Sequence, residues 1–393
     1  MRPQTVGILA ASSVKRPRYF FMRNPSTGYG AATSTNADKA TYLGGYTVTR
    51  KINADGTHAW SRQITANMNC LDIDSADNVY VGGPAQAQIV KYDTNGNLQW
   101  QRYLAAGDSS AVVQGISVNS AGTEVYVAGM ASSNTVPTMT KCSTDGSVVW
   151  SVKGQGSGYS FQNCAYDAAN NVVYAAGNYY DGSVYYAYIV SFSGVDGSVR
   201  WQRISRYGTS GNTFGQSVAV GSGGHVYLSH MGGSSRRNSV VKIDFNGSLV
   251  WDRSIVAGAS GNGFGTAAVA GDGSVLVSDY DANFTRIDAS GNLLLQRNFT
   301  DTGVALYINL RGTATSDNVY TVMGNTAYKV PIDGTLTGTY GTLTYAATTQ
   351  TFESSQCSLS STGPSWTSTG YSATTSTNTV SASGFIPDVT LLG

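Results

Sequence analysis

Charge is what this chain of 393 residues has least of. Asp, Glu, Lys and Arg make up 12% of it and nearly cancel, leaving a net charge of +1, against roughly 25% charged residues in typical domains. Such a surface offers no general attraction to nucleic acid or to an anionic membrane. Histidine occurs three times and cysteine four times. Cys70, Cys142, Cys164 and Cys357 form no CxxC or CxxH pair, which argues against metal binding by cysteine and for buried thiols. No apolar run reaches the 18 residues a spanning helix needs. Val6–Ala11 is shorter than a secretory core, so no cleaved signal is expected. HExxH, GxSxG and P-loop patterns are missing. Residues 1–37 contain no acidic residue, and residues 350–393 contain no Lys or Arg.

What the chain has instead is glycine (47), tyrosine (25) and a repeat. A glycine followed four positions later by tryptophan recurs as Gly56/Trp60, Gly96/Trp100, Gly146/Trp150, Gly197/Trp201 and Gly247/Trp251. The spacing continues without the indole at Gly291/Leu295 and Gly334/Gly338. The glycines are separated by 40, 50, 51, 50, 44 and 43 residues. A period of that length, built of short strands with no helical pattern, points to a ring of β-sheet blades. Each copy holds a strand such as Asn78–Gly83, then a pair such as Ile89–Asp93 and Leu98–Arg102 joined through Asn-Gly or Asp-Gly, whose residues tolerate the positive φ of a tight hairpin. A further strand, such as Gly115–Val118 or Ser217–Val220, leads into the next copy.

The expectation is an all-β chain: a seven-bladed β-propeller of four-stranded antiparallel blades, with extended N- and C-terminal arms. The boundaries are 1–37 for a basic arm, 38–349 for the ring and 350–393 for a Ser/Thr-rich arm. Blade one lacks a leading strand of its own, so either Arg18–Arg23 or the segment after Gly341 must close the ring. Phe20, Phe21, Leu391 and Leu392 are candidate anchors through which the arms order on a partner. Trp60, Trp100, Trp150, Trp201 and Trp251 are expected to pack between blades.

Asp93-x-x-Gly96-x-x-x-Trp100 and Asp244-x-x-Gly247-x-x-x-Trp251 resemble the bacterial β-propeller repeat and the quinoprotein-like (PQQ-like) repeat, in which the tryptophan packs between adjacent blades. The resemblance spans about residues 40–345. The aspartate is replaced by Asn53, Ser143, Gly194 and Pro331 in other copies. The paired neighbouring cysteines of many quinoprotein dehydrogenases are absent, as are sialidase-type Asp boxes. In style and composition the polar arms also resemble proteins of tailed-bacteriophage virions.

Little in the residues suggests catalysis. His225 and His230 are five apart, which puts them on opposite faces of a strand and argues against a shared metal. Asp272, Asp279 and Asp281 could hold calcium, but solvated turn aspartates are the plainer reading. So is a polar strand face for Asp72 and Asp74, and so are solvated side chains for Arg236 and Arg237. Tyr179, Tyr180, Tyr185, Tyr186 and Tyr188 form the densest aromatic stretch, a residue type suited to sugar or protein contact. The function expected is therefore a non-enzymatic structural or adhesion module with no cofactor and no metal. It would sit in a virion, in many copies, bound to other virion proteins through its arms and to a host-surface glycan or protein through its ring; a secreted or cell-surface site is the alternative. The competing reading is a propeller enzyme, a quinoprotein-like oxidoreductase or glycan hydrolase, using the axial pocket.

Overall fold

The computed structural model describes residues 19–23, 30–33, 40–45, 47–64, 67–84, 86–105, 108–131, 136–155, 158–208, 211–232, 237–256, 266–279, 283–301, 313–314, 318–323, 326–335, 337–340, 343–354, 357–361, 363–368, 374–375, 380–382 and 388–392. Strands account for nearly all of its regular structure. The one helical turn among the described residues is Ser222–Gly224, and no helix among them is long and apolar enough to cross a membrane.

The strands form seven antiparallel sheets. Six repeat one plan, four consecutive strands laid side by side from the axis to the rim. They comprise residues 30–64, 70–103, 112–154, 159–207, 213–256 and 267–301, and are called blades one to six here. Blade seven takes Thr313–Ala314, Asn318–Met323 and Thr326–Pro331 from its own repeat and borrows Tyr19–Arg23 as its fourth strand. The first strand of each sheet touches that of the next, and Thr313–Ala314 touches Gly30–Thr33, so the sheets close a ring. The N-terminus thus supplies the closing strand. Blade one does have a leading strand, Gly30–Thr33, which the sequence reading did not see.

The expected seven-bladed ring of four-stranded blades with extended arms is not what forms. Five blades of the six-blade plan carry a fifth strand and blade six carries two more, all from the C-terminal segment. Leu343–Ala347 pairs with the outer strand of blade six, with Gly338–Tyr340 outside it. Thr351–Ser354 then adds to blade five, Cys357–Ser360 to blade four, Trp366–Ser368 to blade three, Thr374–Thr375 to blade two and Val380–Ala382 to blade one. Asp388–Leu392 ends on Tyr19–Arg23 in blade seven. The tail is a belt that runs round the ring in the reverse of the order in which the blades were laid down. The physical reason is the edge problem: each outer strand leaves a row of backbone N–H and C=O groups unpaired, and a tail rich in Ser and Thr, poor in charge, is a good strand former for them.

The core lies between blades. Tyr126, Met139, Phe161, Tyr188 and Phe192 fill the space between blades three and four. Tyr174, Ile189, Trp201, Leu228 and Val241 do so between four and five. The belt adds a wedge to several of these layers: Trp366 between blades three and four, Leu359 between four and five, Phe352 between five and six.

Candidate recognition surface

The repeat motif has a mechanical meaning. Gly96 has φ +76°, and a Cβ there would lie 2.7 Å from the Trp60 ring. Gly247, with φ +84°, stands in the same relation to Trp201. Each hairpin glycine therefore receives the indole of the preceding blade, while the tryptophan four residues later docks on the next. Each indole Nε1–H also donates to a carbonyl of that hairpin: Trp60 to Thr94, Trp100 to Thr144, Trp150 to Gly194, Trp201 to Phe245 and Trp251 to Ala289, at 2.9–3.4 Å. Trp60 and Trp201 are buried; Trp100, Trp150 and Trp251 are half-buried. In blade six Leu295 stands at the tryptophan position, and Arg297 donates to the Gly334 carbonyl as Arg62, Arg203 and Arg253 do to Gly96, Gly247 and Gly291. The motif aspartate is a turn staple: the Asp93 carboxylate accepts the backbone N–H groups of Asn95 and Asn97 and the side-chain amide of Asn97. Asp74 holds its own turn in the same way.

At the axis lies a cavity of about 280 Å³ lined by the first strands of blades two to six, including Cys70, Asp72, Ser117, Asn163, Cys164 and Ser217. Its polar side chains are engaged in joining blades. The backbone N–H of Val118 donates to Asp72 (2.8 Å), that of Tyr166 to Ser117 (3.1 Å), that of Val218 to Asn163 (3.3 Å) and that of Ala267 to Ser217 (2.7 Å). The four side chains fall at two register places: Asp72 and Ser117 opposite Tyr80 and Tyr126, Asn163 and Ser217 opposite Ala176 and Ser229. Asp72 is the one carboxylate among the cavity's described lining residues. What surface it retains faces this cavity, and desolvation there pushes its pKa up to about 6.

That shift predicts a pH effect of definite sign. A carboxyl whose folded pKa lies above its unfolded value binds protons more tightly when folded, so its contribution to stability rises as pH falls from above 6 towards 4. Asp72→Asn removes the charge and keeps an oxygen able to accept the Val118 N–H. The melting-temperature advantage of this variant over the parent is expected to be largest at pH 7 and to shrink by pH 5; an advantage independent of pH would contradict the assignment.

The other acids and the histidines do not converge. Asp272 pairs with Arg286. Asp279 is buried and accepts from Asn283 and Gln350; Asp281 lies outside the described residues, as does Arg236. Arg237 pairs with Glu353 of the belt. His58 sits beside Ser61 and His225 is half-buried, while His230 is buried. No cluster of three or more His, Cys, Asp or Glu able to hold a metal occurs among the described residues. The backbones of Phe20 and Leu391 are register partners; the side chains of Phe20, Phe21, Leu391 and Leu392, and the anchoring assigned to them, lie outside the described residues.

The tyrosines divide into core and surface. Tyr188 is fully buried and its hydroxyl donates to Gln202 at 2.8 Å, so it belongs to the core. Tyr179 is half-buried, stacked on Tyr159 at 4.4 Å, with Tyr186 at 5.7 Å on its other side. Tyr180 and Tyr185, 38% and 37% exposed, sit as a cross-strand pair 4.7 Å apart at the tip of the blade-four hairpin, and Tyr185 reaches Phe214 of blade five at 4.9 Å. Around them stand Asp181, which accepts from the Tyr186 hydroxyl, and Asn212, which accepts the Tyr185 N–H. Arg206 lies over the Tyr186 ring. These rings occupy the face of the ring where the second and third strands connect; the opposite face is made of tight glycine hairpins.

Residues 186–329 match the family model described as outer membrane protein assembly factor BamB. Among solved structures, the hydrazine synthase of Kuenenia stuttgartiensis is similar over 83% of this chain and 99% of its own, with 11% identity and a TM-score of 0.62. The Dos1 propeller is similar over 80% and 94%, with 10% identity and a TM-score of 0.54. BamB from Moraxella catarrhalis covers 78% and 85%, at 15% identity and a TM-score of 0.48. No curated protein matches the chain. At these identities the structural likeness concerns fold alone. Repeat motif and ring agree on a β-propeller, and the family match supports PQQ-like repeats over residues 186–329.

Proposed function

We propose that the chain is a non-enzymatic recognition module whose ring is a rigid platform and whose contact point is the exposed pair Tyr180 and Tyr185. The observation that supports this most is the division of labour among polar and aromatic groups. The cavity side chains Asp72, Ser117, Asn163 and Ser217 are tied up in joining blades, while two tyrosine rings with polar neighbours stand open to solvent at one hairpin tip. Rings so placed can stack on the apolar face of a sugar. The setting we propose is a virion or cell surface, in many copies, where a neutral rigid ring holds its contact face towards a host glycan.

The test is a glycan microarray probed with the parent and with a Tyr180→Ala/Tyr185→Ala double variant. The parent is expected to retain a defined glycan class, and the double variant to bind it at least about tenfold more weakly, since a stacked ring is worth on the order of 1–3 kcal/mol. Equal binding by both proteins, no retained glycan, or turnover of any arrayed glycan would contradict the proposal.

A further inference from the structure

His230, Ser205 and Cys357 each depart from the repeat, and the three departures meet. At the place of His230 in the second strand, blades one to four carry Gly45, Gly83, Gly129 and Gly177. Two of these glycines face bulky first-strand partners, Val113 opposite Gly129 and Phe161 opposite Gly177; in blade five the sizes are exchanged, with Gly215 opposite His230. At the place of Ser205 in the outer strand other blades carry Ile64, Leu104, Ile255 and Phe299, with Gly154 in blade three. Cys357 is the belt's cysteine.

In the layer between blades four and five the His230 Nε2 lies 3.2 Å from the Ser205 hydroxyl and 3.4 Å from the Cys357 Sγ. The imidazole is 1% exposed, and its Nδ1 has no hydrogen-bond partner. Burial drives its pKa down to about 3, so it is neutral. A buried polar side chain left half-satisfied costs stability, so an apolar layer like that of the other blades would be the cheaper solution. The other thiols are built differently. Cys70, Cys142 and Cys164 are buried, burial pushes the Cys142 thiol up to about 12, and no disulfide joins any of the four. Cys357 is half-buried, at the rim, on a strand held by four register partners, Ile204 to Tyr207.

We propose that Cys357 is a thiol modification site that takes a low-molecular-weight disulfide, and that its modification unseats the belt from blades four and five. The Cys357 thiolate attacks one sulfur of the disulfide. The new Sγ–S bond forms as the old S–S bond breaks, the departing thiolate leaves, and the proton lost by Cys357 passes to solvent or to that thiolate. The group now attached to Sγ needs the space filled by the His230 ring. The strand Cys357–Ser360 must move away, and Thr351–Ser354, which precedes it by a short connection, loses its support. A thiol reductant reverses the step.

The experiment uses 5,5′-dithiobis(2-nitrobenzoate) on the full-length native protein. One equivalent of thionitrobenzoate is expected from the parent and none on the same timescale from Cys357→Ser. After modification, chymotrypsin is expected to cut at Phe352 and Leu359 at least about tenfold faster, and dithiothreitol to restore resistance without any change of sequence. His230→Gly, which takes the residue of the other blades, makes room for the adduct and is expected to keep the modified belt resistant. Release from Cys357→Ser equal to the parent's, or a modified parent whose belt is cut no faster, overturns the proposal.

Discussion

Removing residues 350–393 is expected to cost the ring a large part of its stability. The sequence alone suggests the opposite, since all the repeats lie outside the deleted segment. In the structure that segment supplies the outermost strand of every blade except blade six. Deletion withdraws Phe352, Leu359 and Trp366 from layers between blades, at about 1–2 kcal/mol for each partly buried side chain. It also breaks the Arg237–Glu353 pair and the bonds of Gln350 to Asp279 and of Trp366 to Gln202, and it bares the outer strand edges, at about 0.5–1.5 kcal/mol for each backbone hydrogen bond. The sum exceeds roughly 5 kcal/mol, comparable with the 5–15 kcal/mol that holds typical domains folded. Denaturant melts should show the truncated chain unfolded or with a midpoint far below the parent's, and exposed edges should make it prone to aggregate. A truncated chain that melts with the parent would show the belt to be ornamental.

The second large effect is expected from Trp201→Ala. The indole is 8% exposed, packs on the Gly247 hairpin and donates to the Phe245 carbonyl. Truncating a buried aromatic costs about 3–5 kcal/mol, and the carbonyl loses a donor as well. Arg203, whose guanidinium lies over the indole and donates to Gly247, loses its support in the same step. The half-buried Trp100 should cost clearly less. Equal, small shifts in both melts would mean that the indoles do not lock blade to blade.

The repeats were legible because their cause is local and recurs. Gly247 and Trp201 are 46 positions apart in sequence, yet the same contact is written at blade after blade, so spacing alone exposes it. The belt was illegible for the opposite reason. Trp366 seats against Phe161 and Phe192, and Thr351 pairs with Val256, with nothing in the tail's Ser/Thr pattern naming a partner. Low charge and absent Lys and Arg read as an extended arm that orders on a partner, when they were the composition of a strand that lies along the edges of six blades of its own ring. The tyrosine stretch was half legible. Density marked the hairpin, but only the register, with Tyr180 opposite Tyr185 at the tip and Tyr188 inside, separates surface from core. Histidine spacing could not show that His230 meets Ser205 and Cys357 from two other strands.

Hydrogen–deuterium exchange on the full-length protein tests the belt most directly. The account predicts that backbone amides within Thr351–Ser354, Cys357–Ser360, Trp366–Ser368 and Asp388–Leu392 exchange far more slowly than in an unstructured peptide of the same sequence, with protection approaching that of the outer strands they pair with. Exchange of all four segments at the unstructured rate, alongside a protected ring, would contradict it.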